Sequence, residues 1–216
     1  MNAASAFKNM LNRLRIFLHK KAAIKHALCC QGWTSIKKLS VLYDIALRTS
    51  VLEGDILEIG SAWGRSAVLL GYASSKNIWS IDPHTGGRAF IERGEVQNSF
   101  DIFKANLARN GFTSRVTILK FTTDEVIEKK LLPPPIRFSM VFIDGLHTAR
   151  GVEIDFGLAF ERLVPGGVIV FDDYAEDSIP DYTEMIDALM LRHGLTLIKD
   201  KDSGLVFTKK LPTELR

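Results

Sequence analysis

The chain has 216 residues, 46% of them hydrophobic and 25% charged, enough for one substantial core and too apolar for wholesale disorder. Its net charge is only +3, but unevenly spread: residues 1–50 carry nine Lys/Arg against Asp44 alone, net +8, which leaves −5 for the remainder. The two cysteines, Cys29 and Cys30, are adjacent, which excludes a relaxed disulfide between them and any C-x-x-C metal spacing. Residues 5–28 repeat Phe7, Met10, Leu11, Leu14, Phe17 and Leu18 at helical spacing, with Lys8, Arg13, Arg15 and Lys20 elsewhere on the wheel. A second helix spans 34–49, opened by Thr34 or Ser35.

From residue 54 a β-α rhythm begins. A strand over Ile56–Ile59 ends in the loop Gly60-Ser61-Ala62-Trp63-Gly64, followed by a helix to Ala73 and a second strand, Ile78–Ile81. An irregular stretch, 83–97, precedes a helix over 98–110, a strand over Val116–Phe121 and a short helix from Thr123. Then come a strand Ser139–Ile143, a helix 148–163, a strand Val168–Phe171, a helix 180–193, and a hairpin of Leu195–Ile198 and Leu205–Thr208. Such alternation predicts an α/β, Rossmann-like fold: a seven-stranded, mostly parallel sheet with helices on both faces and an antiparallel C-terminal hairpin strand. The predicted organisation is a basic helical extension, 1–50, before a domain over 51–216.

Ligands of open α/β sheets bind beyond the carboxyl ends of the strands. There the sequence places Glu58, Gly60, Gly64, Asp82, Thr123, Asp124, Asp144, His147, Asp172 and Asp173. Gly60 and Gly64 allow a tight turn and a close approach of backbone to ligand before a helix N-terminus. Ala62 stands where the second glycine of a dinucleotide loop would be. Asp82, about 20 residues past the loop, is placed to accept ribose hydroxyls; the alternative role is a turn cap before Pro83.

The segments Ile56-Leu-Glu-Ile-Gly-Ser-Ala-Trp-Gly64, Ile81-Asp-Pro83, Phe142-Ile-Asp-Gly-Leu-His147 and Leu163-Val-Pro-Gly-Gly-Val-Ile-Val-Phe-Asp-Asp-Tyr174 resemble class I S-adenosylmethionine-dependent methyltransferases. The resemblance is nearest to the catechol O-methyltransferase-like and macrolide-sugar O-methyltransferase-like group and covers about residues 50–210. It implies that Glu58, Gly60, Ser61 and Gly64 border the methionine part of the cofactor, that Ser66 helps hold its carboxylate end, that Asp82 binds the ribose, and that Thr123 and Asp124 lie beside the adenine. It also implies a divalent cation, Mg²⁺, on Asp144, Asp172 and Asp173. Hard cations suit such oxygens, and three converging carboxylates repel unless neutralised. His147 is the implied general base.

The expected activity is O-methylation of a vicinal diol in a sugar or secondary metabolite, by direct displacement on a hydroxyl held near Asp144 and His147. Tyr174, His84 and Arg88 are candidates for the acceptor pocket, with 83–97 as a lid. A nicotinamide-dependent oxidoreductase and a non-catalytic module of the same fold remain alternatives. The expected partner is a small-molecule or glycan acceptor, with no nucleic acid, because no basic platform interleaved with aromatics is present. Packing on the domain is the plainest role for the basic helix; a lid, a homo-oligomer interface or a peripheral membrane contact are the others. With no leader pattern and no apolar run near the ~18 residues of a membrane span, a cytoplasmic location is expected.

Overall fold

Short, nearly continuous apolar strands such as Met140–Ile143 need cover on both faces, and the computed structural model, which describes residues 3–86 and 98–210, provides it. The strands are β1 (Asp55–Ile59), β2 (Ile78–Ile81), β3 (Val116–Leu119), β4 (Phe138–Ile143), β5 (Leu163–Phe171), β6 (Ile198–Lys199) and β7 (Val206–Lys209). They form one sheet in the order β3-β2-β1-β4-β5-β7-β6. β1 to β5 run parallel, and β7 pairs antiparallel with both β5 and β6. The helices are α1 (Ala3–Leu28), α2 (Ile36–Thr49), α3 (Arg65–Ala73), α4 (Phe100–Arg109), α5 (Thr123–Glu128), α6 (Ala149–Arg162) and α7 (Pro180–His193). This is the expected α/β architecture. The antiparallel β7 lying between β5 and β6 departs from the all-parallel order of dinucleotide-binding sheets.

Alternation along each strand sends its side chains to two cores. Ile56, Met140, Phe142 and Val170 meet Leu39, Leu42, Ala46 and Val68 from α2 and α3. Leu57, Ile59, Val141 and Ile143 meet Phe156, Ile186 and Leu189 from α6 and α7. The α2 helix therefore shares a core with the sheet. The link between α1 and α2 is fastened to α3 by Arg65, which donates to the carbonyls of Cys30 (3.0 Å) and Thr34 (3.2 Å). Ser35, not Thr34, caps α2, its hydroxyl accepting the Lys38 N–H.

Strand ends differ from the expected ones for local reasons. β5 begins at Leu163, and Pro165 falls where its pairing with β4 is irregular and before β7 pairs at Val168. Gly194 ends α7 in the left-handed conformation, and Leu195 N–H turns back to the Met190 carbonyl, so the following strand starts at Ile198. The expected lid region falls largely on 87–97, and with it Arg88, outside the described residues.

Register positions the site. Ile59 is level with Ile81 and Ile143, and Ile143 with Phe171. The next residues continue the ladder: Gly60 N–H to Ile81 O, Asp144 N–H to Ile59 O, and Asp172 N–H to Ile143 O. Asp82, Gly60, Asp144 and Asp172 thus stand side by side along one rim. Since Leu42 is fully buried between α2 and the sheet, Leu42→Ala is expected to cost about 2–5 kcal/mol. A urea melt should keep a single transition at a lower midpoint; an unchanged midpoint would place α2 outside the cooperative core.

Candidate active site

Two cavities open along the rim and share Trp33, Gly60, Ala62, Asp144 and His147 as common wall. One, about 330 Å³, extends past Asp82 towards Thr123, Asp124 and Asp155. The other, about 640 Å³, extends past Ser61 and Ser66 towards Lys38, Asp172 and Asp173. Both volumes lie in the range of small-molecule sites.

The shared wall follows from one close approach. Gly60 has φ 87°, and a Cβ there would collide with the Asp144 carbonyl. Only glycine lets the β1 loop lie against the end of β4. Gly64, φ 91°, starts α3 with its Cα turned to the Phe103 ring, where a Cβ would come within 2.8 Å. It packs beneath the loop, and neither cavity reaches it.

Asp82 holds the loop in shape: its two oxygens accept the N–H of Ala62 (2.7 Å) and of His84 (2.6 Å). It acts as the turn cap weighed from sequence while also lining the smaller cavity. That cavity combines this carboxylate with apolar Ile81, Phe121 and Ile154 and with the N-terminus of α5, which Thr122 and Glu125 cap reciprocally. A ribose edge and a flat base fit these surroundings. Asp155, on α6, faces the same cavity, and burial pushes its carboxyl up to about 7, against a hydrogen bond from Thr123.

Glu58 lies behind the wall. It is fully buried, its Oε2 accepts the Ser61 hydroxyl at 2.6 Å, and its Oε1 has no partner among the described residues. Burial raises its carboxyl to about 7, although Ser61 and Ser66 favour the charged form. Ser61 and Ser66 are the members of this group that reach the cavity.

The acidic cluster differs in detail from three carboxylates around one point. Lys38, from α2, is ion-paired with Asp172 and with Asp173 (2.7 Å to the latter). Burial would lower the lysine's pKa, but the two carboxylates outweigh it and raise it. Asp172 also accepts the Asp173 N–H (2.8 Å) and rises by burial and by the Asp173 charge, against Lys38. For Asp173, Lys38 outweighs burial and holds the carboxyl low. Its backbone sits at φ 52°.

His147 stands between Asp144 (Nε2 to Oδ1, 3.3 Å) and Asp173 (Nδ1 to Oδ2, 3.7 Å), with the Tyr182 ring edge-on at 5.4 Å. Burial pushes the imidazole down, but the hydrogen bond and charge of Asp144, then Asp173 and Asp172, leave it above the usual value. Burial and Asp172 push Asp144 well above the carboxylate range, against His147. Ligating atoms of Asp144, His147 and Asp173 lie within 4.8 Å of one another. Among the described residues, these three could hold a metal ion, while Asp172 is turned to Lys38.

Two expected residues lie elsewhere. His84 is buried under its turn, on Ser99 Oγ (2.8 Å) and against Phe100 and Phe103. Tyr174 points away from the cavities, its hydroxyl donating to Asp187 (2.8 Å) and accepting from Lys199 (3.0 Å). Arg88 is outside the described residues. Sequence reasoning missed Lys38, Trp33 and Asp155. Trp33, 67% exposed, leans on Trp63 at 4.5 Å between ring centroids and borders both cavities. The one readable signal was Asp155, which interrupts the apolar spacing of Val152, Phe156 and Ala159.

A family model described as "Methyltransferase domain" matches residues 57–174, more than half of the chain. Among curated proteins, an uncharacterised protein of Acanthamoeba polyphaga mimivirus is 31% identical over 123 residues, 56% of this chain. The chain spans about half (51%) of that relative's length. Similar solved structures include the O-methyltransferase NovP (TM-score 0.70, 16% identity, 82% of this chain and 81% of that one). They also include the O-methyltransferase TomG from Streptomyces achromogenes, in complex with S-adenosylmethionine (0.60, 18%, 83% and 82%). A TDP-rhamnose 3'-O-methyltransferase of calicheamicin biosynthesis is a third (0.59, 16%, 82% and 81%). At these identities the likeness is one of fold, the fold that these O-methyltransferases share.

Glu58 gives a measurable signature. Its folded-state pKa of about 7 stands above the 4.5 of an ordinary glutamate, so the folded protein binds more protons than the unfolded chain between those values. Stability therefore falls as pH rises from about 4.5 to about 7. A shift of this size corresponds to roughly 3 kcal/mol. Glu58→Gln should remove that share of the slope and raise the melting temperature at pH 8 more than at pH 5; equal effects at both would show Glu58 ionised throughout.

Proposed function

Because this chain belongs to the methyltransferase-domain family, we propose that it is an S-adenosylmethionine-dependent O-methyltransferase acting on a vicinal diol in a sugar or secondary metabolite. The observation that carries this reading is His147 on the wall between the two cavities, held by Asp144 and Asp173. The smaller cavity takes the nucleoside, with Asp82 towards the ribose and Thr123 and Asp124 towards the base. The larger takes the acceptor and the methionine end, with Gly60, Ser61 and Ser66 beside the latter. Its lining supports a polyhydroxylated ring: Trp33 offers an apolar face, while Lys38, Asp173 and Ser178 offer polar groups.

S-adenosylmethionine, when bound, supplies an electrophilic methyl group on a sulfonium. The protein's part is alignment and proton management. His147 accepts the proton of the acceptor hydroxyl as the oxygen takes the methyl, and Asp144 and Asp173 stabilise the imidazolium that results. Lys38 keeps Asp173 charged and holds Asp172 and Asp173 in place. We further propose that Asp144 and Asp173, with Asp172 adjoining, hold Mg²⁺, which would supply Lewis-acid polarisation of the diol oxygens.

His147 accepts a proton only in its neutral form, and its pKa is raised. So kcat, measured as S-adenosylhomocysteine release over a panel of diol-bearing sugars and catechols, should rise with pH through an apparent pKa above ~6.5. His147→Ala should lower kcat by about 10²–10⁴ and abolish that limb, with S-adenosylmethionine binding kept in calorimetry. A variant with undiminished turnover would remove the base role, and NAD(H) binding without S-adenosylmethionine binding would remove the whole reading.

The metal is tested separately. EDTA should abolish turnover and added Mg²⁺ restore it; full activity in EDTA would remove the metal from this reading.

A further inference from the structure

The N-terminal helix carries an apolar stripe that the domain does not use. At about 100° per residue, the domain-facing side of α1 is marked by Ala23 and Ala27, both buried, by His19 on Tyr43 (2.7 Å), by Lys20 on Asp44 (2.7 Å), and by His26 stacked on Tyr72. Met10, Leu11, Leu14, Phe17 and Leu18 lie roughly 180° away on the same wheel. They are between 47% and 57% exposed. The stripe therefore lies on the side of the helix away from the contacts that residues 19–27 make, and along residues 10–18 the helix is exposed all round, Ile16 included.

Charge decides what can cover it. Lys8 and Arg15 flank the stripe on one side and Arg13 on the other, while Lys21 and Lys25 follow along its line. Lys21 lays its ammonium over the Phe17 ring at 4.4 Å. No Asp or Glu occurs before Asp44, and Lys20 already engages that residue. A second copy packed stripe to stripe would set these cations against their own kind with no acid to answer them. An anionic lipid surface meets both demands: it buries the apolar side chains at the headgroup boundary and neutralises the flanking cations. Among the described residues no helix is long and apolar enough to cross a membrane, so the helix lies along the surface.

We propose that α1 is a peripheral membrane anchor, its face of Met10, Leu11, Leu14, Phe17 and Leu18 resting in an anionic leaflet with the methyltransferase-fold domain held beside it. The proposal is independent of the acceptor and of the metal. The test is flotation of the full-length chain with vesicles of phosphatidylcholine alone or of phosphatidylcholine with phosphatidylserine. Co-flotation is expected with the anionic vesicles, weakening as salt rises. Leu14→Glu with Phe17→Glu, at exposed positions, should weaken it at least ~tenfold, and Arg13→Glu with Arg15→Glu by about fivefold or more per residue, with melting temperatures unchanged. No binding to anionic vesicles, equal binding to neutral ones, or flotation that survives both double variants would overturn it. So would a dimer in sedimentation equilibrium that Leu14→Glu with Phe17→Glu dissolves while vesicles stay unbound, which would assign the stripe to a second copy.

Discussion

Lys38 reaches from α2 to the ends of the strands and pairs with both Asp172 and Asp173, while His147 sits between Asp144 and Asp173. The Lys38 ammonium and the His147 ring between the carboxylates make the acidic rim possible. Three carboxylates gathered in a half-buried space raise one another's pKa and would protonate or splay apart without compensation. Here the compensation is unequal. Asp173, which contacts both Lys38 and His147, is kept charged; Asp144 and Asp172 are pushed upward by burial. The site has a graded set of acids, and that gradation is what gives a proton-accepting His147 its neighbours.

The backbone delivers this arrangement through register. Because β2, β1, β4 and β5 end level, a single step beyond each strand produces Asp82, Gly60, Asp144 and Asp172 in a row. Gly60 lies against the Asp144 carbonyl, so the β1 loop and the end of β4 pack together in the wall that both cavities share. Asp82, by holding Ala62 and His84, ties the same loop to the neighbouring strand. Positions far apart in the chain are thereby placed to better than side-chain freedom would allow.

Much of this was legible in advance. Strand positions followed from apolar runs bounded by glycine and aspartate, and the rim acids followed from where those runs stop. Strand limits were less readable where hydrogen bonding settles them, as at Leu195, taken by the end of α7, and at Pro165, which lies where the β4–β5 pairing is irregular. His84 and Tyr174 were misplaced because sequence fixes a residue's level on the rim but not its direction. His84 turns in against Phe100 and Phe103, and Tyr174 turns out towards Asp187 and Lys199. Lys38 was unreadable: a lysine beside buried Leu39 looks the same whether its ammonium meets water or two aspartates far along the chain, the second of them 135 residues away.

The left-handed backbone at Asp173 has a further implication. A residue with a side chain costs about 1 kcal/mol or more at φ 52°, and glycine or asparagine would occupy that conformation with less strain. Laboratory selection for thermostability would favour such replacements, and each would delete a negative charge from the rim. This strand terminus is a position where robustness and turnover pull a lineage in opposite directions.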